Sequence, residues 1–217
     1  MIKGRRYNKV LILLVILILA LAACSPREVR EEDDLLEEEE VEESLISYFP
    51  LKQGMVYRFA GEGIEFASFK WEVKFVDDEL AQIHEDNGGT VNARVFRVTD
   101  DEVRILREEA EFYEDTILLD DLDREDKREE VILKRPIEEG NSWESGGRRR
   151  EIVKVDKVID LPAGRFYGVI KVEITPLEEG KDYTNYEYYA KNIGLVMSGS
   201  EGEEYKVRSR LRSFGNI

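Results

Sequence analysis

The chain of 217 residues is poor in the side chains from which most catalytic and metal sites are built, with one cysteine and one histidine. A single thiol excludes an intramolecular disulfide, and these counts also exclude zinc sites made of several histidine and cysteine ligands. The sequence lacks a Gly-x-Ser-x-Gly motif, a His-Glu-x-x-His motif, a phosphate-binding glycine loop and a dinucleotide fingerprint. We therefore predict that the protein is not an enzyme and has no catalytic residues, no metal site and no cofactor.

The one histidine, His84, stands beside Glu85 and Asp86 near the end of a predicted strand. Histidine is intermediate between buried and exposed residues, and a lone one among carboxylates at a strand end is usually exposed. We expect His84 to lie on the surface.

Positive charge is also scarce, because 32 lysine and arginine residues stand against 48 aspartate and glutamate residues, for a formal net charge of −16. An excess of negative charge repels polyanions. We therefore expect no binding of nucleic acid and no direct docking on anionic lipid or wall polymers.

The N-terminus has the order of an export signal, with four basic residues before residue 10 and an unbroken apolar run from Val10 to Ala23. The run has 14 residues, whereas a helix needs about 20 to cross a bilayer. Residues 1–23 are therefore predicted to be a signal peptide rather than a permanent span.

The signal ends in Leu21-Ala22-Ala23-Cys24, which resembles the lipobox of bacterial lipoproteins. The resemblance implies cleavage between Ala23 and Cys24, diacylglycerol on the Cys24 thiol, and acyl chains such as palmitate as the membrane anchor. It also implies the extracytoplasmic face of the cell membrane, or the outer membrane if the source has two membranes. An ordinary signal with an incidental Cys24, or an uncleaved helix, is the alternative.

Residues 24–44 form the next segment, in which eleven acidic side chains between positions 28 and 43 face one arginine. Like charges at this density repel each other and extend the chain. We predict a disordered acidic tether. Loose capture of cations or of basic partners is its alternative role.

From residue 45 onward, short stretches alternate between apolar and polar residues with turn residues between them, as expected of strands with one buried face. The clearest stretch has Phe69, Trp71, Val73 and Phe75 on one side and Lys70, Glu72 and Lys74 on the other. We predict that residues 45–217 are a single, mainly β domain, an antiparallel meander of about ten strands forming a curved sheet or open barrel.

A short internal repeat relates residues 50–57 to residues 136–143, at an offset of 86 residues. In both copies a Pro-Gly turn precedes an aromatic residue, Tyr57 or Trp143, which we expect to open a strand on the core side. The domain therefore divides into possible halves, 45–130 and 131–217. Chance and duplication both account for a match of this length.

Between these halves, Asp120 to Glu130 is almost wholly charged and is predicted to be an exposed loop or a short helix. A helix-loop-helix calcium site starting at Asp121 requires glycine at position 126 and glutamate at position 132. The chain has Asp126 and Ile132 there, so the calcium motif fails.

Tyrosines are clustered late in the chain, and Tyr183, Tyr186 and Tyr188 are the candidate ligand-binding residues. Tyr186 and Tyr188 share a strand face, where a ring and a hydroxyl together suit an apolar ligand, a peptide or a sugar. Ordinary cross-strand packing is the alternative.

The segments Gly140 to Trp143, Asp160 to Phe166 and Tyr188 to Val196 resemble those of exported bacterial β proteins. At the level of the fold, such proteins resemble the lipoprotein-sorting carriers, in which an incomplete antiparallel barrel holds an apolar guest. The long helices that cover such a sheet are not evident in this sequence.

Two functional hypotheses follow. In the first, the protein is an envelope-anchored binding module for an apolar or polymeric ligand. In the second, it is a structural or interaction lipoprotein that holds a partner protein at the cell envelope. An open apolar pocket favours the first, and a solid core with a bare apolar patch favours the second.

Overall fold

The computed structural model describes residues 44–119 and 127–216. The predicted signal peptide, Cys24 and all but the last residue of the predicted tether lie outside these ranges. The described residues form short 3-10 helices at Leu45–Tyr48 and Glu65–Ala67 and the following strands: β1 Met55–Glu62, β2 Phe69–Asp77, β3 Leu80–Asp86, β4 Val91–Val98, β5 Glu102–Glu109, β6 Lys127–Lys134, β7 Ser142–Ser145, β8 Arg148–Leu161, β9 Gly164–Pro176, β10 Tyr183–Ala190, β11 Gly194–Gly202 and β12 Lys206–Asn216.

In the described residues, twelve strands form one antiparallel sheet in the order β6-β5-β4-β3-β2-β1-β12-β11-β10-β9-β8-β7. Except for β6 and β7, strands that follow each other in sequence are neighbours in the sheet, and β1 also pairs with β12. The two edges, β6 and β7, are consecutive in the chain. The sheet therefore curves into a nearly closed barrel, which confirms the predicted meander and adds two strands to it.

The seam between β6 and β7 is joined by side chains rather than by a backbone ladder in the described part of the chain. The Trp143 indole Nε1 donates to the Val131 carbonyl oxygen at 2.9 Å. The Val131 amide in turn donates to Ser145 Oγ at 2.9 Å. These bonds satisfy backbone groups that an open sheet edge would leave exposed.

The core fills the inside of this sheet with alternate residues of most strands, as the predicted period of two requires. In β2 a bulge after Val73 shifts the register, so Val76 and not Phe75 packs against the core. The expectation for Phe75 was wrong because a bulge inserts one residue and moves the following side chains to the other face.

The upper end of the barrel, where β1 begins, is covered by two elements. The long β8–β9 hairpin contains three register shifts, and the Ala163 amide at its tip bonds the Leu211 carbonyl of β12 at 3.1 Å. The first 3-10 helix is tied to the β10–β11 turn, where the Asn192 amide donates to the Ser47 carbonyl at 2.6 Å. Its Tyr48 is buried.

The lower end, where β1 ends, is partly filled by the second 3-10 helix. Ser209 Oγ of β12 donates to the Ala67 carbonyl at 2.6 Å, and both residues are buried. Both ends of the barrel therefore receive short connecting segments rather than long helices.

The charged segment predicted as a loop or helix is partly a strand. Residues 120–126 lie outside the described ranges, but β6 begins at Lys127, and Glu130 is fully buried in it. The expectation of exposure, which rested on charge density alone, was wrong for Glu130 because the buried Arg150 and the partly exposed Arg148 of β8 both form ion pairs with it.

The two copies of the internal repeat occupy corresponding places. Each leads into a strand, β1 or β7, and each aromatic, Tyr57 or Trp143, is buried in the core. The expectation that these aromatics open strands on the core side is confirmed. Duplication and the division into two halves stay predictions.

Candidate functional site

The described apolar residues pack closely together inside the barrel. A cavity of about 20 Å³ near the upper end is lined mainly by apolar residues, among them Phe49, Leu51, Trp71 and Leu195. One water molecule needs roughly 10–15 Å³ measured in this way, so the cavity has room for little more than one. It cannot hold an acyl chain or a similar apolar guest.

Deeper in the barrel, the core contains an ion pair. Arg150 of β8, 2% exposed, donates from Nη2 to Glu130 Oε1 at 2.5 Å, and Arg148 Nη1 approaches the same oxygen at 3.1 Å. Tyr189 lies in the same region, donating to Glu187 at 2.6 Å. Burial, and then Glu187, raise the pKa of Tyr189 well above its usual value, so its hydroxyl stays protonated.

The outer face of β9–β12 carries a groove of about 540 Å³. Alternate residues of a strand point to opposite faces of the sheet. Val172 and Ile174 of β9 point into the core, so Lys171 and Glu173 point outward into the groove. The pairing of β9 with β10, of β10 with β11 and of β11 with β12 places residues of these three further strands on the same surface. The outer groove is lined by Lys171, Glu173, Thr184, Tyr186, Tyr188, Met197, Glu201, Gly202, Lys206 and Arg208.

Tyr186 forms the floor of the outer groove. It pairs in register with Gly199 of β11, and its ring lies where a side chain at Gly199 would otherwise stand. A Cβ atom at Gly199 would come within 2.3 Å of Tyr186 Oη and 2.5 Å of the Val207 carbonyl oxygen. This glycine is therefore what allows the tyrosine to lie flat across the sheet.

Tyr188 stands beside Tyr186, with the ring centroids 5.8 Å apart in an edge-to-face arrangement. Lys157 lies 5.7 Å from the Tyr188 ring and Lys171 lies 5.8 Å from the Tyr186 ring. Both distances are within the range of a cation–π contact. Two tyrosines and two lysines thus form one mixed aromatic and cationic surface.

Protonation keeps this surface cationic at neutral pH. Burial raises the pKa of the Tyr188 hydroxyl, which stays neutral. Partial burial by itself would lower the pKa of Lys171, but its bond to Glu173 at 2.5 Å and nearby Tyr188 give a net rise. The ammonium group is therefore retained.

The structure brings two of the three predicted tyrosines together and not the third. Tyr186 and Tyr188 both line the outer groove and contact each other, as predicted from their alternate positions on one strand. Tyr183 lines an adjoining depression, which shares Thr184, Glu201 and Gly202 with the outer groove. Lys171, Lys206 and Arg208 are additions that the sequence analysis missed, because only the strand register shows that they join the tyrosines.

A second groove of about 740 Å³ lies on the other side of β12. It is lined in part by Arg58, Lys70 and Arg212, with Asp86 as the one carboxylate among its lining residues. Because β12 contributes to both grooves, they form neighbouring parts of the outer barrel surface.

His84 is not on the surface, which corrects the expectation from its position in the sequence. It is 8% exposed and packs edge-to-face on Phe112 with centroids 5.4 Å apart. Gln82 Nε2 lies 2.8 Å from His84 Nε2 and donates to the Thr116 carbonyl, while Gln82 Oε1 accepts from the Leu118 amide at 2.7 Å. Residues 110–119, the covering segment, bury the strand end that sequence reasoning left exposed.

In residues 44–119 and 127–216, no group of three His, Cys, Asp or Glu side chains is placed to hold a metal ion. The same residues contain no helix that is long and apolar enough to cross a membrane.

The sequence matches no protein-family model and no curated protein. A Bacteroides fragilis protein described as exported and as having a YmcC-like fold has a TM-score of 0.47 and 15% identity, covering 77% of this chain and 98% of that one. A Parabacteroides distasonis protein described as a lipoprotein has a TM-score of 0.41 and 14% identity, with the same coverage. This loose likeness assigns no ligand and no residue role.

Proposed function

We propose that the protein is an envelope-anchored, non-catalytic binding module that binds an extended, polymeric ligand on the outer face of β9–β12. The observation that carries the proposal is the outer groove, whose floor is Tyr186 and whose wall includes Tyr188. The interior cavity has room for little more than one water molecule, so the proposal is for a polymeric ligand at an outer site and not for an apolar guest inside the barrel.

The anchoring half of the proposal comes from the sequence. Lipidation of Cys24 would hold the domain at the extracytoplasmic face, because each buried methylene of an acyl chain contributes about 0.8 kcal/mol. The domain would then meet whatever polymers surround the cell surface.

The shape of the groove favours a long ligand over a compact one. It is open to solvent, crosses four strands, and combines tyrosine rings and hydroxyls with charged groups rather than enclosing an apolar volume. Small-molecule sites are usually concave and bury most of the ligand. A chain-like ligand can instead lie across the strands and contact several of these side chains in turn.

Affinity electrophoresis tests the proposal. The full chain is run in native gels cast with polymers extracted from the envelope of its own source, and we expect its migration to be retarded. Tyr188→Ala should lose most of the retardation, whereas Tyr167→Ala, which truncates a tyrosine that is 66% exposed outside the groove, should keep it. Unretarded parent protein, or equal effects of both substitutions, would refute the proposal.

A partner protein is the second candidate, and the β8–β9 hairpin supplies its supporting observation. Val158 and Tyr167, 53% and 66% exposed, lie on its two strands between the register pairs Lys157–Val169 and Ile159–Phe166. Such a bare apolar pair suits protein contact. Crosslinking in intact cells that is lost in Val158→Asp, with polymer binding intact, would favour this candidate.

A further inference from the structure

The charge of the outer surface is opposite to that of the chain. Across the two grooves, six cations face three carboxylates, although the whole chain carries 48 acidic and 32 basic residues. The groove-lining cations are Arg58, Lys70, Lys171, Lys206, Arg208 and Arg212. Exposed charges interact strongly only within about one Debye length, roughly 8 Å at physiological salt. The charges that attract or repel a bound ligand are therefore those of this local surface and not those of the whole chain.

Strand β12 places two of these cations in a row with a further one, Arg210. Lys206, Arg208 and Arg210 are alternate residues whose register partners on β11 are Glu201, Gly199 and Met197, so all three share the outer face with the groove. Alternate residues on a strand are about 6.4–6.8 Å apart. The row thus presents regularly spaced positive charge along the edge shared by both grooves.

Several of the cations are available for a ligand. Of the cations on this surface, four are paired with carboxylates: Lys70, Lys171, Lys206 and Arg210. Within the described residues, Arg58, Arg208 and Arg212 form no ion pair. These three arginines concentrate positive charge on one surface of an acidic protein, and because exposed charges of one sign repel one another, the arrangement favours an anionic ligand.

We infer that the polymer bound by the outer face is anionic, and specifically a polysaccharide bearing carboxylate or phosphate groups. This inference rests on the proposed function and names the chemistry of its ligand. Guanidinium groups bind both kinds of anion through paired N–H donors. The hydroxyls and ring edges of the tyrosines beside the cations provide contacts for the sugar units.

A polysaccharide fits this surface better than a nucleic acid. Single-stranded nucleic acids are held by aromatic rings whose faces are free for stacking of bases. Tyr186 is only 7% exposed and lies against the sheet, and the ring of Tyr188 already has Lys157 at 5.7 Å. The surface therefore supplies charge and ring edges without a stacking platform.

The test measures affinity of the full chain for defined probes by the same gel method: polygalacturonate for carboxylates, inorganic polyphosphate for phosphates, fully methyl-esterified polygalacturonate as the neutral match, and single-stranded DNA. We expect binding to one or both polyanions, weakening as salt screens the charges, and little binding to the neutral polymer or the DNA.

The double variant Arg208→Glu/Arg212→Glu should bind the polyanions at least about tenfold more weakly, a change of about 1.4 kcal/mol. Lys52→Glu/Arg97→Glu, an equal charge change at exposed cations outside both grooves, should bind like the parent.

The outcomes separate the two claims. Retardation by native envelope polymer, with equal binding of neutral and acidic probes and no effect of Arg208→Glu/Arg212→Glu, would overturn the anionic ligand and leave the proposed function standing. Stronger binding of DNA than of both polyanions would also overturn it. No retardation by any polymer would refute the proposed function itself.

Discussion

At the scale of single residues, the most unusual feature is a buried charge pair inside a mainly apolar barrel. Glu130 and Arg150 are 0% and 2% exposed, and Nε and Nη1 of Arg150 make no hydrogen bond within the described residues. Removing two charges from water costs several kcal/mol each, which the attraction between them only partly offsets. The pair therefore contributes little net stability, yet each partner depends strongly on the other.

Removal of one partner should destabilise the protein. We expect Glu130→Ala to lower the free energy of unfolding by about 3–5 kcal/mol, because Arg150 is left buried and uncompensated. Urea denaturation measures the change. Glu130→Leu/Arg150→Met should recover most of the loss, and Asp160→Ala, which breaks an exposed pair with Arg165, should hardly move the midpoint. A small effect of Glu130→Ala would mean that Arg150 is solvated.

A glycine tests the placement of Tyr186 without touching the tyrosine. We expect Gly199→Ala to destabilise the protein by about 1–3 kcal/mol, the usual cost of overpacking, because the new Cβ meets Tyr186 and the Val207 carbonyl. Gly215→Ala is the matched control, since a Cβ there has no neighbour within 4 Å. Thermal denaturation of both variants measures the difference, and equal midpoints would show that Tyr186 does not lie over Gly199.

At the scale of elements, the covering segment is held to β3 by one glutamine. Gln82 uses its amide nitrogen toward His84 and Thr116 and its oxygen toward Leu118. Because that nitrogen is a donor, His84 Nε2 must accept and be unprotonated. Burial, and then Lys74, lower the pKa of His84, against the opposing effects of Asp115 and Glu72, while Lys70 adds to the lowering.

Acid should therefore loosen the covering segment. A histidine whose pKa is lower in the folded state contributes its stability above the unfolded pKa of about 6.5, and that contribution is lost as pH falls through the folded pKa. We expect the hydrogen-exchange protection factor of the Leu118 amide to fall as the pH is lowered below about 6.5. His84→Gln, which can still accept the bond and does not titrate, should flatten this dependence. Equal pH dependence in both proteins would contradict the role of His84.

The elements that alternation marks clearly were predictable, and those that depend on distant partners were not. Strands β2–β5 and β8–β12 follow from period-two patterns and turn residues. The start of β6 was missed because Lys127 to Glu130 is fully charged, and only the arginines of β8 make burial of Glu130 possible. Likewise, Tyr186 and Tyr188 were predictable as a pair on one strand, whereas Arg208 joins them only through the β11–β12 register.

At the scale of the whole molecule, the net charge of −16 conceals two regions of opposite character. Eleven acidic residues are concentrated between positions 28 and 43, while the outer surface around β12 is cationic. The expectation that negative charge excludes anionic polymers treated the chain as uniform. The local surface gives the opposite expectation for a ligand that lies in the grooves.

The anchor has its own test. We expect Cys24→Ala to abolish lipidation, because the thiol that would carry diacylglycerol is gone, and to leave the protein uncleaved or released from the membrane. Detergent phase partition and intact mass measure both effects, with Ser25→Ala as the control that keeps the thiol. A Cys24→Ala protein with the parent's partition and an unchanged lipid mass would contradict the lipoprotein assignment.

The most direct test of the binding module is lysine footprinting on living cells. A membrane-impermeant acetylating reagent is applied to intact cells and to the purified protein, and modification of each lysine is quantified by mass spectrometry. A ligand in the outer groove predicts that Lys171 and Lys206 react more slowly on cells than in the purified protein, while Lys52 and Lys134, exposed elsewhere, react equally in both. If each of the four lysines reacts at the same rate on cells as in the purified protein, the outer face is empty in the cell, which would contradict the proposed function.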